Sequence, residues 1–148
     1  MASGSVPLRT PEYLEVEVTE SAAMKDAQRT ADTLTRLRSL GVKVSIDDFG
    51  TGYSSLAYLK RFAPDTIKID KSFVDDIGTD RNSEAICDAI LRLGQALGCR
   101  VVAEGVETEA QVAFLRRRRC DEAQGYFFGK PVPAAEFEAS WIATRAAG

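Results

Sequence analysis

Five short runs along the chain are strand-like, and the first three alternate apolar and polar residues with a period of two. They are LEVEVTE (14–20), VKVSIDD (42–48), TIKID (66–70), RVVAE (100–104) and a weaker AQGYFFG (123–129). Such alternation predicts strands. Between them apolar residues recur at helical spacing: Ala31, Leu34, Leu37 and Leu40 before Gly41, then Ile86, Ile90, Leu93 and Leu97 before Gly98. Both glycines suit the left-handed position that ends a helix. Thr108 with Gln111 reads as a capping box opening a helix through Val112 and Leu115. Pro133 suits the first turn of a terminal helix carrying Phe137, Trp141 and Ile142, and Ser54 or Ser55 suits the cap of a short helix through Leu56, Leu59 and Phe62. Strand followed by helix, repeated, predicts an α/β fold with a parallel sheet.

Parity within the strands narrows the architecture. A parallel strand covered by helices on both faces reads as a nearly continuous apolar run. Here Leu14, Val16 and Val18 alternate with Glu15, Glu17 and Thr19. Val42, Val44 and Ile46 alternate with Lys43, Ser45 and Asp47, and Ile67 and Ile69 with Thr66, Lys68 and Asp70. One face packs under helices while the other looks into a shared polar interior, as in a TIM-type (β/α) barrel whose chemistry sits at the strands' C-terminal ends. In that register Glu17, Asp47, Lys68 and Glu104 converge on one mouth. One lysine among carboxylates is the signature of an oxygen-ligand site for Mg²⁺, Mn²⁺ or Ca²⁺. The adjacent pair Asp47 and Asp48 sharpens the point, because two neighbouring like charges need a cation or strong donors to offset them.

Composition removes other chemistries. The 148 residues carry a formal charge of −3, with 45% hydrophobic and 28% charged residues, which is ordinary for a globular domain and gives no case for binding a nucleic-acid polymer. Histidine is absent, which excludes Ser-His triads and His-ligated metals. Cys87, Cys99 and Cys120 show no CxxC spacing and read as reduced thiols of a cytoplasmic protein. No run is apolar enough to suggest membrane contact. Gly50 and Gly52 read as turn glycines without a phosphate-loop pattern, and Arg116 to Arg119 as a solvated helix end favoured by the helix dipole.

The segments LEVEVTES (14–21), DDFGTGYSSL (47–56), IKIDKSFV (67–74), VVAEGVET (101–108) and QGYFFGKP (124–131) together resemble the EAL-domain family, the cyclic di-GMP phosphodiesterases of bacterial signalling. The resemblance implies a TIM-type barrel, of which this chain supplies about five βα units and lacks the first strands. Residues 1–13 are then an N-terminal tail or an expression remnant, and 14–148 the C-terminal part of an EAL domain. It implies that Glu17, Asp47, Asp48 and Glu104 are metal ligands of a two-metal site holding Mg²⁺ or Mn²⁺, with Asp47 bridging. Lys68 and Glu104 are implied as catalytic, Lys68 contacting the attacking water and Glu104 as ligand or general base. Glu20 would hold the DDFGTG loop, while Glu107 and Gln124 would stand behind the site or beside the substrate.

The implied reaction is hydrolysis of cyclic di-GMP to linear pGpG. The implied parent carries GGDEF or sensory domains. The Glu-Ala-Leu signature and the metal-binding asparagine of an earlier strand are missing, so the isolated chain is expected to be inactive and to form a homo-oligomer through its open sheet edges. Arg119 departs from the glycine usual there. Two alternatives remain: a silent EAL-like module that binds cyclic di-GMP or a protein partner, and another Mg²⁺ barrel enzyme of the enolase type, against which the DDFGTG run argues.

Overall fold

The computed structural model describes the backbone of residues 10–52 and 56–146, with side chains through residue 140. Five parallel strands form one sheet in the order β1-β2-β3-β4-β5. They are β1 (Glu15–Thr19), β2 (Lys43–Phe49), β3 (Thr66–Ile69), β4 (Arg100–Ala103) and β5 (Glu122–Ala123). The helices are α1 (Glu20–Lys25), α2 (Ala27–Ser39), α3 (Leu56–Phe62), α4 (Lys71–Asp75), α5 (Arg81–Leu97), α6 (Glu109–Arg117) and α7 (Ala134–Ala146). Sequential strand order without a reversal is the winding of a (β/α) barrel, not of a doubly wound sheet. The expected caps Ser54 and Ser55, and the side chains of Trp141 and Ile142, lie outside the described residues.

Strand parity decides what each face meets. Val44, Ile46, Ile67, Ile69, Val101 and Ala103 turn one way and join Leu34, Leu59, Phe62, Val74, Cys87, Ile90, Phe114 and Leu115 in one buried core. The opposite parity carries Glu15, Glu17, Ser45, Asp47, Thr66, Lys68 and Arg100. Cross-strand ion pairs tie that face together: Arg100 Nη1 donates to Glu122 at 2.8 Å, and Arg100 Nη2 stands 3.8 Å from Glu15. Arg100 Nη2 also donates to Thr66 Oγ1 at 3.2 Å.

Helix ends follow their local chemistry. Thr108 and Gln111 form a complete capping box at α6, and Gly41 and Gly98 take the left-handed conformation (φ 87° and 69°) after α2 and α5. Two short helices were not expected. Thr19 caps α1 and Asp70 caps α4, so each begins directly at a strand end.

The last strand also differs from expectation: only Glu122–Ala123 pair with β4, rather than 123–129. Beyond Ala123 the backbone bonds to the loop after β4, with Val106 N donating to Gln124 O and Phe127 N to Val106 O. A Cβ on Gly125 would stand 2.2 Å from the Val106 backbone, so glycine permits that approach and the chain turns out of the sheet.

Gly94 has a comparable role between layers. A Cβ there would meet Val101 Cγ2 at 2.2 Å and Cys99 O at 3.3 Å. Gly94→Ala is therefore expected to destabilise the fold by about 1–3 kcal/mol through overpacking of α5 on β4. Adding Val101→Ala should recover part of the loss. Urea unfolding of the single and double variants checks this, and strict additivity of the two substitutions would contradict the clash.

Candidate functional site

Lys68 emerges from β3 on the polar face, and acids from three other strand ends surround it. Its ammonium donates to Glu17 Oε1 of β1 at 2.9 Å and to Glu104 Oε1, just past β4, at 2.6 Å. Asp47 Oδ1 of β2 stands at 3.6 Å. The lysine side chain retains 12% of its exposure, against 22% for Asp47, 19% for Glu104 and 50% for Glu17. Burial alone would lower the Lys68 pKa. The hydrogen bonds to Glu104 and Glu17 outweigh it, and the pKa is raised well above the ordinary lysine value. A cation whose folded pKa is raised is lost only as pH climbs beyond that value, so Lys68 stays charged throughout the neutral range. Parity thus brought together the four side chains that it predicts.

Parity alone does not account for Asp48. Ile46 pairs with Ile67 and Phe49 with Ile69, so Asp47 and Asp48 together oppose the single Lys68. This is a β-bulge, with Asp48 left-handed at φ 53°. The extra residue resets the alternation: Ile46 and Phe49 both enter the helix-side core, and both aspartates are left to the mouth. Burial, and then repulsion from Asp47 and Asp70, raise the Asp48 pKa. Asp70 is the neighbour that sequence reasoning missed. Its oxygen caps α4 by accepting from Ser72 N at 2.9 Å, which fixes it beside Asp48.

The loop after the aspartates is clamped by Glu20. This carboxylate is 1% exposed, and its Oε2 accepts from Gly50 N at 2.9 Å and Gly52 N at 3.1 Å. A side chain on Gly52 would press on Glu20 at 3.2–3.4 Å.

A cavity of about 630 Å³ opens beside Glu104, and Glu107 and Gln124 line it. Gln124 Nε2 donates to Glu104 Oε1 at 2.8 Å, and Lys71 Nζ to Glu107 Oε1 at 2.7 Å. Lys71, Tyr126 and Lys130 complete its polar wall, with Lys130 lying 5.5 Å over the Tyr126 ring. Lys71 had the signal of following Asp70 at a strand end. Tyr126 was hidden by the expectation of a strand over 123–129, and Lys130, just past it, carried no periodic signal.

Glu17, Asp47, Asp48 and Glu104 are all-oxygen donors, and one ammonium offsets only part of their charge, so the set suits a hard divalent cation. The carboxylates are spread around Lys68 rather than around one another. Among the described residues no three acidic or thiol side chains form a ready ligand shell.

Comparison with known proteins identifies the family and the fold. The EAL domain matches residues 8–131. The cyclic di-GMP phosphodiesterase NbdA of Pseudomonas aeruginosa is 52% identical over 126 residues, covering 85% of this chain and 16% of that protein. The bifunctional diguanylate cyclase/cyclic di-GMP phosphodiesterase MucR of the same organism is 50% identical, covering 88% and 19%. The chain therefore spans less than a fifth of these relatives. Among solved structures, the MucR phosphodiesterase in complex with c-di-GMP superposes with a TM-score of 0.84 at 50% identity, over 86% of this chain and 51% of that one. Klebsiella pneumoniae BlrP1 in its manganese and cyclic di-GMP complex gives 0.76 at 39% identity, over 82% and 31%.

The Glu20 clamp is open to a direct test. Glu20→Ala leaves two amide groups without their charged acceptor, at an expected cost of about 3 kcal/mol. Glu20→Gln keeps one acceptor oxygen and should lose less. Urea unfolding with amide exchange at Gly50 and Gly52 reads both effects. Unchanged protection of those amides in the alanine variant would remove the clamp.

Proposed function

This chain belongs to the EAL-domain family, and from that membership we propose that it carries most of the catalytic face of a cyclic di-GMP phosphodiesterase that yields linear pGpG. The observation that carries the reading is the meeting of Glu17, Asp47 and Glu104 at Lys68, from separate strand ends. Residues 14–148 correspond in this reading to the later strands of the EAL barrel. Glu17, Asp47, Asp48 and Glu104 would hold the divalent cations, with Mg²⁺ or Mn²⁺ as the ions used. Such ions, when bound, lower the pKa of water and stabilise both the attacking and leaving oxygens at phosphorus.

The chain's own groups do the rest. Lys68 orients the water and offsets charge growing on the phosphoryl oxygens. Glu104, held by Gln124, is placed to receive the water's proton. Water adds to phosphorus as the P–O3′ bond breaks, leaving a 5′-phosphate and a 3′-hydroxyl. Glu20 keeps the Asp47–Asp48 loop in register, and Glu107 and Gln124 face the substrate cavity. GGDEF or sensory domains are the expected companions in a longer parent. The free thiols Cys87, Cys99 and Cys120 suit a reducing compartment, and the cytoplasm is the location this reading assigns. No helix among the described residues is long and apolar enough to cross a membrane.

Self-association belongs to the same reading. Among the described residues β1 pairs only with β2, and Tyr126, Phe127 and Phe128 are each about half exposed. An unpaired strand edge and bare aromatic surface favour pairing of two copies. Light scattering after size exclusion should show a species larger than a monomer; a monodisperse monomer would refute the dimer.

In a complete EAL barrel carrying this sequence, Asp47→Asn should abolish metal-dependent hydrolysis while leaving the fold intact. Lys68→Ala should lower kcat by roughly 10²–10³ with little change in KM, because its task exists only in the transition state. Hydrolysis assays in Mn²⁺ decide both. Cyclic di-GMP bound without turnover by the unmutated protein would instead assign a silent binding module.

A further inference from the structure

The arginine run that ends α6 is largely exposed, and one of its members holds an unusual backbone conformation. Three helices of this chain finish in the same turn, in which two successive amides bond back to carbonyls of the last turn. After α2 these are Gly41 N to Arg38 O and Val42 N to Leu37 O, and after α5 Gly98 N to Gln95 O and Cys99 N to Gly94 O. After α6 they are Arg119 N to Arg116 O and Cys120 N to Leu115 O. The turn requires a left-handed residue, and the first two helices supply glycine. The third places Arg119 there at φ 58°. A side chain in that conformation costs about 1 kcal/mol relative to glycine. Glycine would meet the same turn at lower cost, so the Arg119 side chain is the feature to explain.

Arg119 borders a cavity of about 310 Å³ between α5 and the end of α6, lined also by Arg92, Arg117 and Arg118 together with Asp88, Leu91 and Gln95. Asp88 is the one acid of the lining and is already shared: it accepts from Arg92 Nε at 2.8 Å and Arg118 Nε at 3.1 Å. Arg118 is further fixed by stacking 3.6 Å over the Phe114 ring. Arg117 and Arg119 have no carboxylate partner among the described residues. Four guanidinium groups against one carboxylate leave a formal charge of +3 around the cavity, in a chain whose total is −3.

We propose that this cavity is a binding site for a small oligophosphate anion, separate from the acidic mouth. The size is that of a small ligand rather than a folded partner. Planar guanidinium groups match phosphoryl oxygens two at a time, and several of them call for more than one phosphate group. Arg118, locked by Asp88 and Phe114, forms the rigid wall, and Arg117 and Arg119 close on the anion. Free inorganic oligophosphate and the tail of a nucleoside triphosphate share this chemistry.

The test is calorimetric titration of the chain with inorganic tripolyphosphate and with a nucleoside triphosphate, in chelating-resin-treated buffer at constant ionic strength. Saturable binding is expected. Equal affinity for the two would assign the phosphates alone; tighter binding of the nucleotide would add a base contact. Arg119→Gly relieves the left-handed strain, so it should fold at least as stably while weakening binding roughly ten- to a hundredfold. Arg117→Ala should weaken it similarly. Arg116→Ala, outside the lining, should leave it unchanged. Absence of saturable binding overturns the site, as does equal weakening by Arg116→Ala, which would mark diffuse charge attraction.

Discussion

Holding two aspartates against one lysine is the constraint on which the mouth of this fold depends. A regular β2 would send Asp48 into the helix-side core and Phe49 into the polar interior. Both placements are unfavourable, the first because an unpaired buried carboxylate is strongly penalised. The bulge between Ile46 and Phe49 reverses both at once. It is bought with one left-handed aspartate, a conformation that Asp tolerates better than most residues. Glu20 then keeps the bulge from relaxing, since its buried carboxylate occupies the amides of Gly50 and Gly52 immediately beyond. A loop free to slide by one residue would exchange Asp48 for Phe49.

The polar interior is organised in tiers of opposite charge rather than as a diffuse hydrophilic surface. Near the strand starts Arg100 reaches Glu15, Thr66 and Glu122. Two residues beyond Glu15 and Thr66, and four beyond Arg100, Lys68 reaches Glu17, Asp47 and Glu104. Each tier has one cation drawing acids from several strands, so each pins the register of its neighbours as well as their charge. A slip of one residue would turn both cations into the apolar core. Between the tiers Ser45 presents a buried hydroxyl that has no hydrogen-bond partner among the described residues. The lower tier is nearly balanced and structural. The upper tier holds a surplus of acid, and that surplus separates a candidate site from a scaffold.

Much of this was readable in the sequence because period-two alternation reports directly on which face a side chain takes. Glu17, Asp47, Lys68 and Glu104 came from parity alone, and the capping box and the helix-ending glycines from local chemistry. The roles of Asp48, Glu20 and Gln124 rested on family resemblance, since a bulge and a carboxylate reaching 30 residues along the chain leave no periodic trace. The strand expected over 123–129 failed for a related reason. Its aromatics Tyr126, Phe127 and Phe128 are consecutive rather than alternating, and Gln124 O and Phe127 N are taken by Val106, a tertiary partner that no local window contains. The reading of Arg116–Arg119 as a solvated helix end holds for Arg116, Arg117 and Arg119, which are exposed, whereas the ion pair of Arg118 with Asp88 on α5 is a tertiary contact with no local trace.

The chain's net charge of −3 conceals two opposed poles, and their separation has consequences. The acid surplus sits where strands end, whereas Arg117–Arg119 lie just before β5 begins. The four residues of β4, which separate the end of the arginine run from Glu104, span roughly 13 Å at 3.3 Å per residue. That is longer than the screening length of about 10 Å at 0.1 M salt, so salt screens much of the arginine pole's field at the mouth. A phosphodiester approaching the mouth meets the surplus of Asp47, Asp48, Glu17 and Glu104 with only Lys68 set against it. Its own charge makes that approach unfavourable unless cations have already compensated the acids. For the proposed reaction the order of binding therefore follows from charge alone: cations precede the nucleotide. The raised pKa of Asp48 is the same imbalance seen from within, a carboxylate that burial and two neighbouring acids press toward its protonated form.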